Sequence, residues 1–341
     1  MDLAGIVRNP KSRRMNMRIL VTGGSGFIGT NYMDFLVQKD IEALINIDFK
    51  PPRNKEHSKY WRDCDILNKP KFEEIVKNFS PTHIVHLAAT CGLSTDISDF
   101  VANIGGVKNL LDILDGISSV KHVIFTSSLL VCEPGYIPKN DTDYKPYTVY
   151  GESKMLGEKI VRSRENLAYT WTIIRPISIW GPWIVEPFTN FFKLISKGLY
   201  FHIGSGCCLR TFGYVENTIF QIQQILLKSV ESSNNKTVYV SDNTPIDLCD
   251  FADEVGRVIN GKKIRHMPLA VVKVVAKIGD LLKILGWKNV PLTSFRLKNM
   301  QTELVYTDSL KPIAEISGPL PFDYKAGVAR TVKWLRKEKI I

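Results

Sequence analysis

The chain lacks several features that would place it in a special class of protein. No run of about eighteen apolar residues occurs along its length, so no membrane-spanning helix is expected. No block of about five like charges occurs either, although the net charge is +11. Lys and Arg are scattered, which argues against a nucleic-acid surface. An anionic small molecule or an anionic membrane remains as a partner that the positive charge would attract.

Cysteine and histidine are scarce, with six of each. No Cys pair has C-x-x-C spacing, and the adjacent Cys207 and Cys208 are poorly spaced for zinc. We therefore expect reduced thiols in a cytoplasmic protein and no metal site. Residues 1–17 are basic and lack the apolar core of a signal peptide, so they predict a disordered leader, with Met15 or Met17 as a candidate start.

What is present is an ordinary globular composition, with 44% hydrophobic and 23% charged residues. Near-continuous apolar runs predict strands at residues 18–22, 44–48, 83–89, 122–128 and 171–176. Helical spacing predicts helices at residues 27–38, 70–78, 100–114 and 147–164. This alternation predicts an α/β fold with a doubly wound parallel sheet covered on both faces. A helix at 214–227 and a strand at 237–241 are expected to rejoin it.

A glycine-rich turn joins the first predicted strand to the first predicted helix. Gly24-x-Gly26-x-x-Gly29, preceded by Gly23, fits the dinucleotide-binding pattern. Its glycines permit a tight turn and a close approach of the backbone to a pyrophosphate, and the helix N-terminus supplies free N–H groups. The context of strand, turn and helix makes this the first candidate binding site.

Asp48 ends the second predicted strand, 19 residues after Gly29. A carboxylate there can accept hydrogen bonds from both hydroxyls of a ribose. It favours NAD as the cofactor, because the 2′-phosphate of NADP would face a negative charge. Lys50 and Arg53 follow closely and keep NADP open.

A tyrosine and a lysine share one face of the predicted helix 147–164. Tyr150 and Lys154 are four residues apart, whereas Tyr147 has Gly151 at that distance. An ammonium beside a phenol favours the phenolate, so we expect Lys154 to lower the pKa of Tyr150 and let it exchange a proton with a substrate hydroxyl. The spacing alone is common on helix surfaces.

Ser127 and Ser128 close the predicted strand 122–128, at the sheet edge where ligands of parallel sheets bind. A hydroxyl there can hydrogen-bond the oxygen that Tyr150 protonates. A strand-end serine that only caps the next loop is the alternative. The order of glycine loop, serine and Tyr-x-x-x-Lys favours a catalytic set.

These motifs together resemble the extended short-chain dehydrogenase/reductase family, and the likeness covers residues 18–334. It is carried by T-G-G-S-G-F-I-G, D-C-D-I, H-L-A-A, F-T-S-S, Tyr-x-x-x-Lys, R-P-I-S-I-W-G-P and R-T-F-G-Y-V-E-N. The resemblance implies that Ser128, rather than Ser127, is catalytic together with Tyr150 and Lys154. It implies NAD as the cofactor, in contact with Gly23, Gly26, Phe27, Ile28, Gly29, Asp48, Asp65, Ile66, Leu87, Ala88, Ala89, Asn103, Tyr150, Lys154 and Pro176.

The resemblance also implies a domain organisation and an assembly. Residues 18–182 and 211–261 are expected to form a Rossmann domain that binds NAD, and residues 183–210 and 262–341 a smaller substrate-binding cap. A homodimer through the helices at 100–114 and 147–164 is expected.

Within that family the chain is most similar to sugar-nucleotide epimerases and dehydratases. The resemblance places Arg210 on the diphosphate of a nucleotide sugar, with Arg296 as a second candidate. Ser178 stands where the family has Asn, which weakens the contact inferred there.

The residues after Ser128 limit the reactions that the protein is expected to catalyse. Leu129 and Leu130 stand where related dehydratases and decarboxylases have acids, and leucine cannot eliminate water or assist decarboxylation. Cys132 lies too late in the sequence to match the Cys of enzymes that epimerise C3 and C5.

Three functional hypotheses remain open. The first is NAD-dependent C4 epimerisation of a nucleotide sugar through a 4-keto intermediate. The second is a reductase or dehydrogenase of a keto-sugar or a hydroxysteroid-like alcohol, and the third is a non-catalytic NAD-binding regulatory protein.

Separately, residues 269–287 combine lysines with apolar residues at helical spacing. That segment suits a helix packed in the cap or one lying on a membrane.

Overall fold

The computed structural model describes residues 15–39, 41–185, 188–204, 206, 208–228, 235–287, 290 and 292–341. These residues form two compact units. Those within Met1–Ile179, Gly213–Asn243 and Asp308–Phe322 form the first unit. Those within Trp180–Phe212, Thr244–Thr307 and Asp323–Ile341 form the second.

The strands and helices of both units are numbered here in the order in which they occur along the chain. The strands are β1 Met15–Thr22, β2 Ile41–Asp48, β3 Trp61–Asp63, β4 His83–His86, β5 His122–Thr126, β6 Thr170–Pro176, β7 Ile179–Trp180, β8 His202–Ile203, β9 Leu209–Arg210, β10 Gly213–Tyr214, β11 Lys236–Val240, β12 Ile246–Asp247 and β13 His266–Met267. The α-helices are α1 Phe27–Val37, α2 Lys69–Phe79, α3 Val101–Leu114, α4 Val149–Arg162, α5 Phe188–Ser196, α6 Val215–Leu227, α7 Leu248–Asn260, α8 Leu269–Ile284, α9 Ser294–Met300, α10 Lys311–Ser317 and α11 Tyr324–Lys337.

The first unit is built on a seven-stranded parallel sheet in the order β11-β6-β5-β4-β1-β2-β3. Central strand residues such as Leu20, Ile84 and Val123 are fully buried, because helices cover both faces. The predicted doubly wound α/β fold is confirmed. The strand order reverses direction between β1 and β4, and connections that leave opposite sides of the sheet open a crevice at the carboxyl ends of these strands.

The element boundaries differ from the sequence predictions in a few places. β1 begins at Met15, which pairs with Ile41 of β2, so the predicted leader 1–17 is wrong for residues 15–17, which belong to this strand; the rest of that leader lies outside the described residues. β4 and β5 end at His86 and Thr126, because the chain leaves the ladder there to form loops at the carboxyl edge.

The division into units also differs from the predicted boundaries. Residues 244–261 belong to the second unit, because α7 packs against α5 and α11. Residues 308–322 belong to the first unit, because α10 packs against α6 and β11. Sequence periodicity defines each helix but does not reveal which unit it packs on.

Two further findings concern the cysteines and the apolar character of the helices. Cys249 is disulfide-bonded, so the expectation of reduced thiols is wrong at this position, whereas Cys64, Cys91, Cys132 and Cys208 are free. Among the described residues, no helix combines the length and the apolar character of a transmembrane span.

Three buried histidines in the central sheet should make folding sensitive to acid. Burial lowers the pKa of His83 to about 4, and those of His86 and His122 to about 3, from an ordinary 6.5. Burial has the opposite effect on Asp242, raising its pKa to about 7, although a hydrogen bond of 2.8 Å from Asn217 Nδ2 opposes it.

The two effects have opposite signs between pH 7.5 and 5.5. In the unfolded chain these histidines are protonated below pH 6.5, whereas in the folded protein they stay neutral. The free energy of unfolding therefore falls by about 4 kcal/mol in total between pH 7.5 and 5.5. Asp242 takes up a proton below pH 7 in the folded protein, which raises the free energy of unfolding by about 2 kcal/mol. We expect urea titrations to show a net loss of about 2 kcal/mol, rising to about 4 kcal/mol in Asp242→Asn. Equal losses in the two proteins would contradict this.

Candidate functional site

The turn between β1 and α1 is packed so tightly that glycine is required. Gly23 has φ +75°, and a Cβ on it would lie 2.5 Å from the Ala88 backbone nitrogen. A Cβ on Gly29 would lie 2.1 Å from the Gly23 carbonyl oxygen. Gly26 is the N-cap of α1 and carries no side chain to cap the first N–H groups. The turn is thus a cradle of backbone N–H groups at a helix N-terminus, which suits a pyrophosphate.

Asp48 lies beside this turn at the carboxyl end of β2. Its Oδ2 accepts a hydrogen bond of 3.0 Å from the Ser25 backbone N–H, and its Oδ1 accepts one of 2.9 Å from that of Lys50. Burial raises the pKa of this carboxyl, although both bonds oppose the rise. The carboxylate is therefore held in place at the edge of the cradle, where a ribose would follow the pyrophosphate.

Tyr150 and Lys154 lie one turn apart on α4. The buried Lys154 Nζ donates a hydrogen bond of 2.8 Å to the Thr126 carbonyl oxygen, where β5 ends. The Tyr150 ring lies 5.9 Å from that of Phe100. α4 thus holds its lysine against the edge of the sheet and its tyrosine beside it.

Ser128 and Ser127 differ in what they contact. The Ser128 side chain lies close enough to Tyr150 to oppose the rise in its pKa, and the Ser128 Oγ accepts a bond of 3.1 Å from the Leu130 N–H. In the described part of the chain, the buried Ser127 Oγ has no hydrogen-bond partner. The geometry therefore brings Ser128, not Ser127, together with Tyr150.

The pKa of Tyr150 is raised, mainly by burial, so the expectation that it is lowered is wrong for this geometry. Cys91 adds to the rise, and the Ser128 side chain opposes it. Cys91 Sγ lies 3.8 Å from the Tyr150 hydroxyl oxygen, a contact that the sequence did not reveal. Burial also lowers the pKa of Lys154. A phenolate here needs positive charge close to it.

The residues that form the dinucleotide cradle and the Ser–Tyr–Lys cluster lie within a stretch that matches a protein-family model. The model of the NAD dependent epimerase/dehydratase family matches residues 19–240. The chain belongs to this family. It is therefore an enzyme, its cofactor is NAD, and the resemblance found in the sequence is confirmed.

Curated relatives of the enzyme include two 4-epimerases. An Escherichia coli O157:H7 enzyme, N-acetyl-alpha-D-glucosaminyl-diphospho-ditrans,octacis-undecaprenol 4-epimerase, is 25% identical over 330 residues, which are 94% of this chain and 96% of the relative. The UDP-glucose 4-epimerase of Vibrio cholerae is 30% identical over 205 residues, 57% of this chain and 61% of the relative.

Solved structures share the fold over nearly the whole chain. The Bordetella bronchiseptica enzyme WbmG, in complex with NAD and UDP, superposes with a TM-score of 0.70 at 19% identity, covering 98% of this chain and 97% of that one. The Thermotoga maritima UDP-glucose 4-epimerase with UDP-glucose gives 0.69 at 19% identity, covering 94% and 99%.

The other residues assigned to the cofactor lie at the same edge of the sheet. Phe27 and Ile28 begin α1, Pro176 ends β6, and the half-buried 87–89 segment follows β4. Asp65 is exposed, and its Oδ1 accepts a bond of 2.9 Å from the Leu67 N–H. The contacts of these residues with NAD stay predictions.

Two of the assigned residues are engaged within the protein. The Ile66 side chain belongs to the hydrophobic core, where a Cβ on Gly106 would lie 2.2 Å from it. Asn103 Nδ2 donates to Ser153 Oγ at 2.9 Å and to the Thr90 carbonyl oxygen at 3.0 Å. Asn103 therefore ties the loop after β4 to α4, a positioning role.

The three residues assigned to the substrate lie in different units. Ser178 is in the first unit, with φ +45°, a left-handed conformation that favours the Asn of the family pattern. Arg210 and Arg296 are in the second unit. Arg210 is half-buried on β9, opposite Ile246 of β12. Arg296 is exposed on α9, and its Nη1 donates a bond of 2.7 Å to the Val290 carbonyl oxygen. Their roles stay predictions.

A buried ion pair behind the site was missed by the sequence analysis. Arg175 on β6 is fully buried, and its Nε and Nη2 donate to the two oxygens of Glu158 at 2.8 and 2.7 Å. Its Nη1 also donates to the Tyr239 hydroxyl at 3.0 Å. Glu158 lies one turn after Lys154 on α4, so this pair fixes the catalytic helix to the sheet. The R-P of the family pattern was the only sequence signal for it.

Gly29→Ala should weaken the binding of NAD. The added Cβ would meet Gly23 and Gly24, so the turn must move, at a cost of about 1–3 kcal/mol. As lost affinity this is about 5- to 150-fold, measured by calorimetric titration of NAD into enzyme freed of nucleotide. Gly116→Ala is the control, because its Cβ would meet no atom closer than 3.9 Å. Equal dissociation constants for the two variants would contradict the assignment of the cradle.

Proposed function

We propose that the enzyme inverts the configuration at C4 of a hexose carried on a nucleoside diphosphate. The observation that carries the proposal is the cluster of Tyr150, Ser128 and Lys154 at the carboxyl edge of the sheet, beside the dinucleotide cradle. The Escherichia coli and Vibrio cholerae relatives described above are both named as 4-epimerases.

The residues that would hold NAD follow from the geometry. Gly23, Gly26 and Gly29 would hold the pyrophosphate and Asp48 the adjacent ribose. Lys154 would hold the nicotinamide ribose, because an ammonium has three donors and one is engaged with Thr126. When bound, NAD supplies a reversible hydride acceptor.

Tyr150 would move the proton. Its Oη would take the proton of the C4 hydroxyl as the C4 hydrogen leaves as hydride, which gives a 4-keto sugar. Ser128 Oγ, which already contacts Tyr150, would hydrogen-bond the same sugar oxygen. Once the 4-keto sugar has turned over, Tyr150 would return the proton to the C4 oxygen, and because bound NAD would accept and give back the hydride, the reaction would be redox-neutral overall. The phenolate that the first step requires would need the Lys154 ammonium and the positive charge of bound NAD close to its oxygen.

The residues after Ser128 support a reaction limited to C4. Leu129 and Leu130 form a short helical turn, and Leu129 is buried. The Leu130 carbonyl oxygen lies 2.0 Å from where a Cβ on Gly151 would be, so this turn packs against α4. No acid occupies these two positions to eliminate water or assist decarboxylation.

The test is mass spectrometry of ligands released from the purified protein, followed by a panel of sugar diphosphates. The proposal expects NAD to be released and one nucleotide hexose to be converted to its C4 epimer without added NAD. The panel includes a polyprenyl-diphosphate sugar, because the Escherichia coli relative is named for a lipid-linked substrate. Conversion of that sugar alone would move the proposal from a nucleotide to a lipid carrier. No conversion of any sugar, or steady formation of NADH, would overturn C4 epimerisation.

A further inference from the structure

Helix α8 packs through one narrow face. Val272, Ala276 and Gly279 are buried on this face, and Val272 and Ala276 form a hydrophobic cluster with Leu297 of α9, against which Met267 and Leu292 pack. A Cβ on Gly279 would lie 1.9 Å from the Leu292 carbonyl oxygen, so this contact is close. The packing of α8 within the second unit is satisfied by this face.

A second apolar stripe runs along the opposite face of α8. Its side chains are between 46% and 81% exposed: Val271, Val274, Val275, Ile278, Leu281 and Ile284. It continues beyond the helix at Leu285 and Trp287, which are 68% and 63% exposed. Single exposed apolar residues are ordinary, but a continuous stripe of them marks an interaction surface. The cap-packing interpretation of residues 269–287 does not account for this stripe.

Lysines border the stripe. Lys273, Lys277 and Lys283 are exposed on α8, and Lys298 is exposed on α9. A groove of about 500 Å³ between the two helices is lined by Lys273, Lys277 and Lys298, together with the apolar Val274 and Leu297 and polar side chains. The acid of α8, Asp280, accepts a bond of 3.0 Å from the Ser294 N–H and is half-buried. The border is therefore strongly positive.

We infer that α8 docks on the surface of an anionic lipid bilayer, with its exposed stripe in the acyl boundary and its lysines among the phosphates. Apolar side chains beside lysines, with a tryptophan at one end, are the chemistry of an interfacial helix. The groove between α8 and α9 suits the phosphate of a lipid headgroup.

A second copy of the chain fits this surface less well. A two-fold contact would place the same face against itself, and the lysines of one copy would meet those of the other. The net charge of +11 also favours an anionic partner. The inference does not rest on the proposed epimerisation, and its test measures binding rather than activity.

The test is sedimentation of the full chain with vesicles of phosphatidylcholine alone or mixed with phosphatidylglycerol. We expect binding to the mixed vesicles that weakens at least tenfold on phosphatidylcholine alone and falls as salt is raised. The variant V274S/I278S/L281S should bind at least tenfold more weakly. I137S/L199S is the control, because it removes two apolar side chains elsewhere that are at least as exposed as those of the stripe, and it should bind like the wild type. The emission of Trp287 should shift to the blue on mixed vesicles, and W287F should lose that shift.

Three results would overturn the inference. One is binding by the stripe variant that equals wild type, and another is no vesicle binding by the wild type. The third is a dimer, seen by analytical ultracentrifugation, that the stripe variant dissociates while vesicles bind neither protein. Because the substituted side chains are exposed, unchanged thermal unfolding of each variant shows that the fold is intact.

Discussion

Tyr150→Phe is expected to lower kcat for epimerisation by about 10²–10⁴-fold while NAD stays bound. The substitution removes only the hydroxyl that faces Ser128 and lies 3.8 Å from Cys91 Sγ. Without it, no group on α4 can take the proton of the substrate hydroxyl, whereas Lys154 keeps its bond to Thr126. Turnover of the sugar and the amount of NAD that copurifies are the two measurements.

Tyr147→Phe is the matched control. Tyr147 lies three residues earlier, is 56% exposed, and has no lysine four residues after it. We expect unchanged kcat and unchanged NAD content. A Tyr150→Phe variant with full epimerase activity would remove Tyr150 from the chemistry.

Breaking the buried Arg175–Glu158 ion pair should cause a large loss in the free energy of unfolding. Arg175→Met leaves Glu158 buried and charged, and removing one partner of such a pair costs about 3–5 kcal/mol. The free energy of unfolding from urea titration is the measurement. Because Glu158 lies on α4, the positions of Tyr150 and Lys154 should also loosen, which lowers kcat at temperatures where the variant is still folded.

The double variant Arg175→Met/Glu158→Leu separates the pair from the packing. It leaves no unpaired charge, so it should recover most of the stability that the single variant loses. Lys311→Met is the surface control, because both members of its pair with Asp308 are exposed and the pair should contribute little. Equal losses in the single and the double variants would show that packing, not charge, explains the effect.

The sequence predicted the parts of the fold and site that depend on local patterns. Apolar runs of four or more residues located the central strands, and the glycine spacing located a turn whose tightness no other residue allows. β3 was missed, because a three-residue edge strand with two exposed side chains has no apolar run to detect. The choice of Ser128 over Ser127 came from the resemblance, and the contact with Tyr150 supports it.

Features that depend on contacts distant in sequence were not predictable. The rise in the pKa of Tyr150 comes from burial and from Cys91, which lies 59 residues earlier. The partner of Arg175 lies 17 residues away on a different element. The two faces of α8 were both apolar in the sequence, and only packing showed which of them is covered.

The central claim is hydride transfer at C4 alone, and proton NMR in deuterated water tests it most directly. The enzyme is incubated, without added NAD, with the nucleotide hexose that it converts. The account predicts a C4 epimer with hydrogen, not deuterium, at C4, because the hydride that leaves is the one that returns. It also predicts no deuterium at C3 or C5. Deuterium at any of these carbons, or a product oxidised or reduced overall, would contradict it.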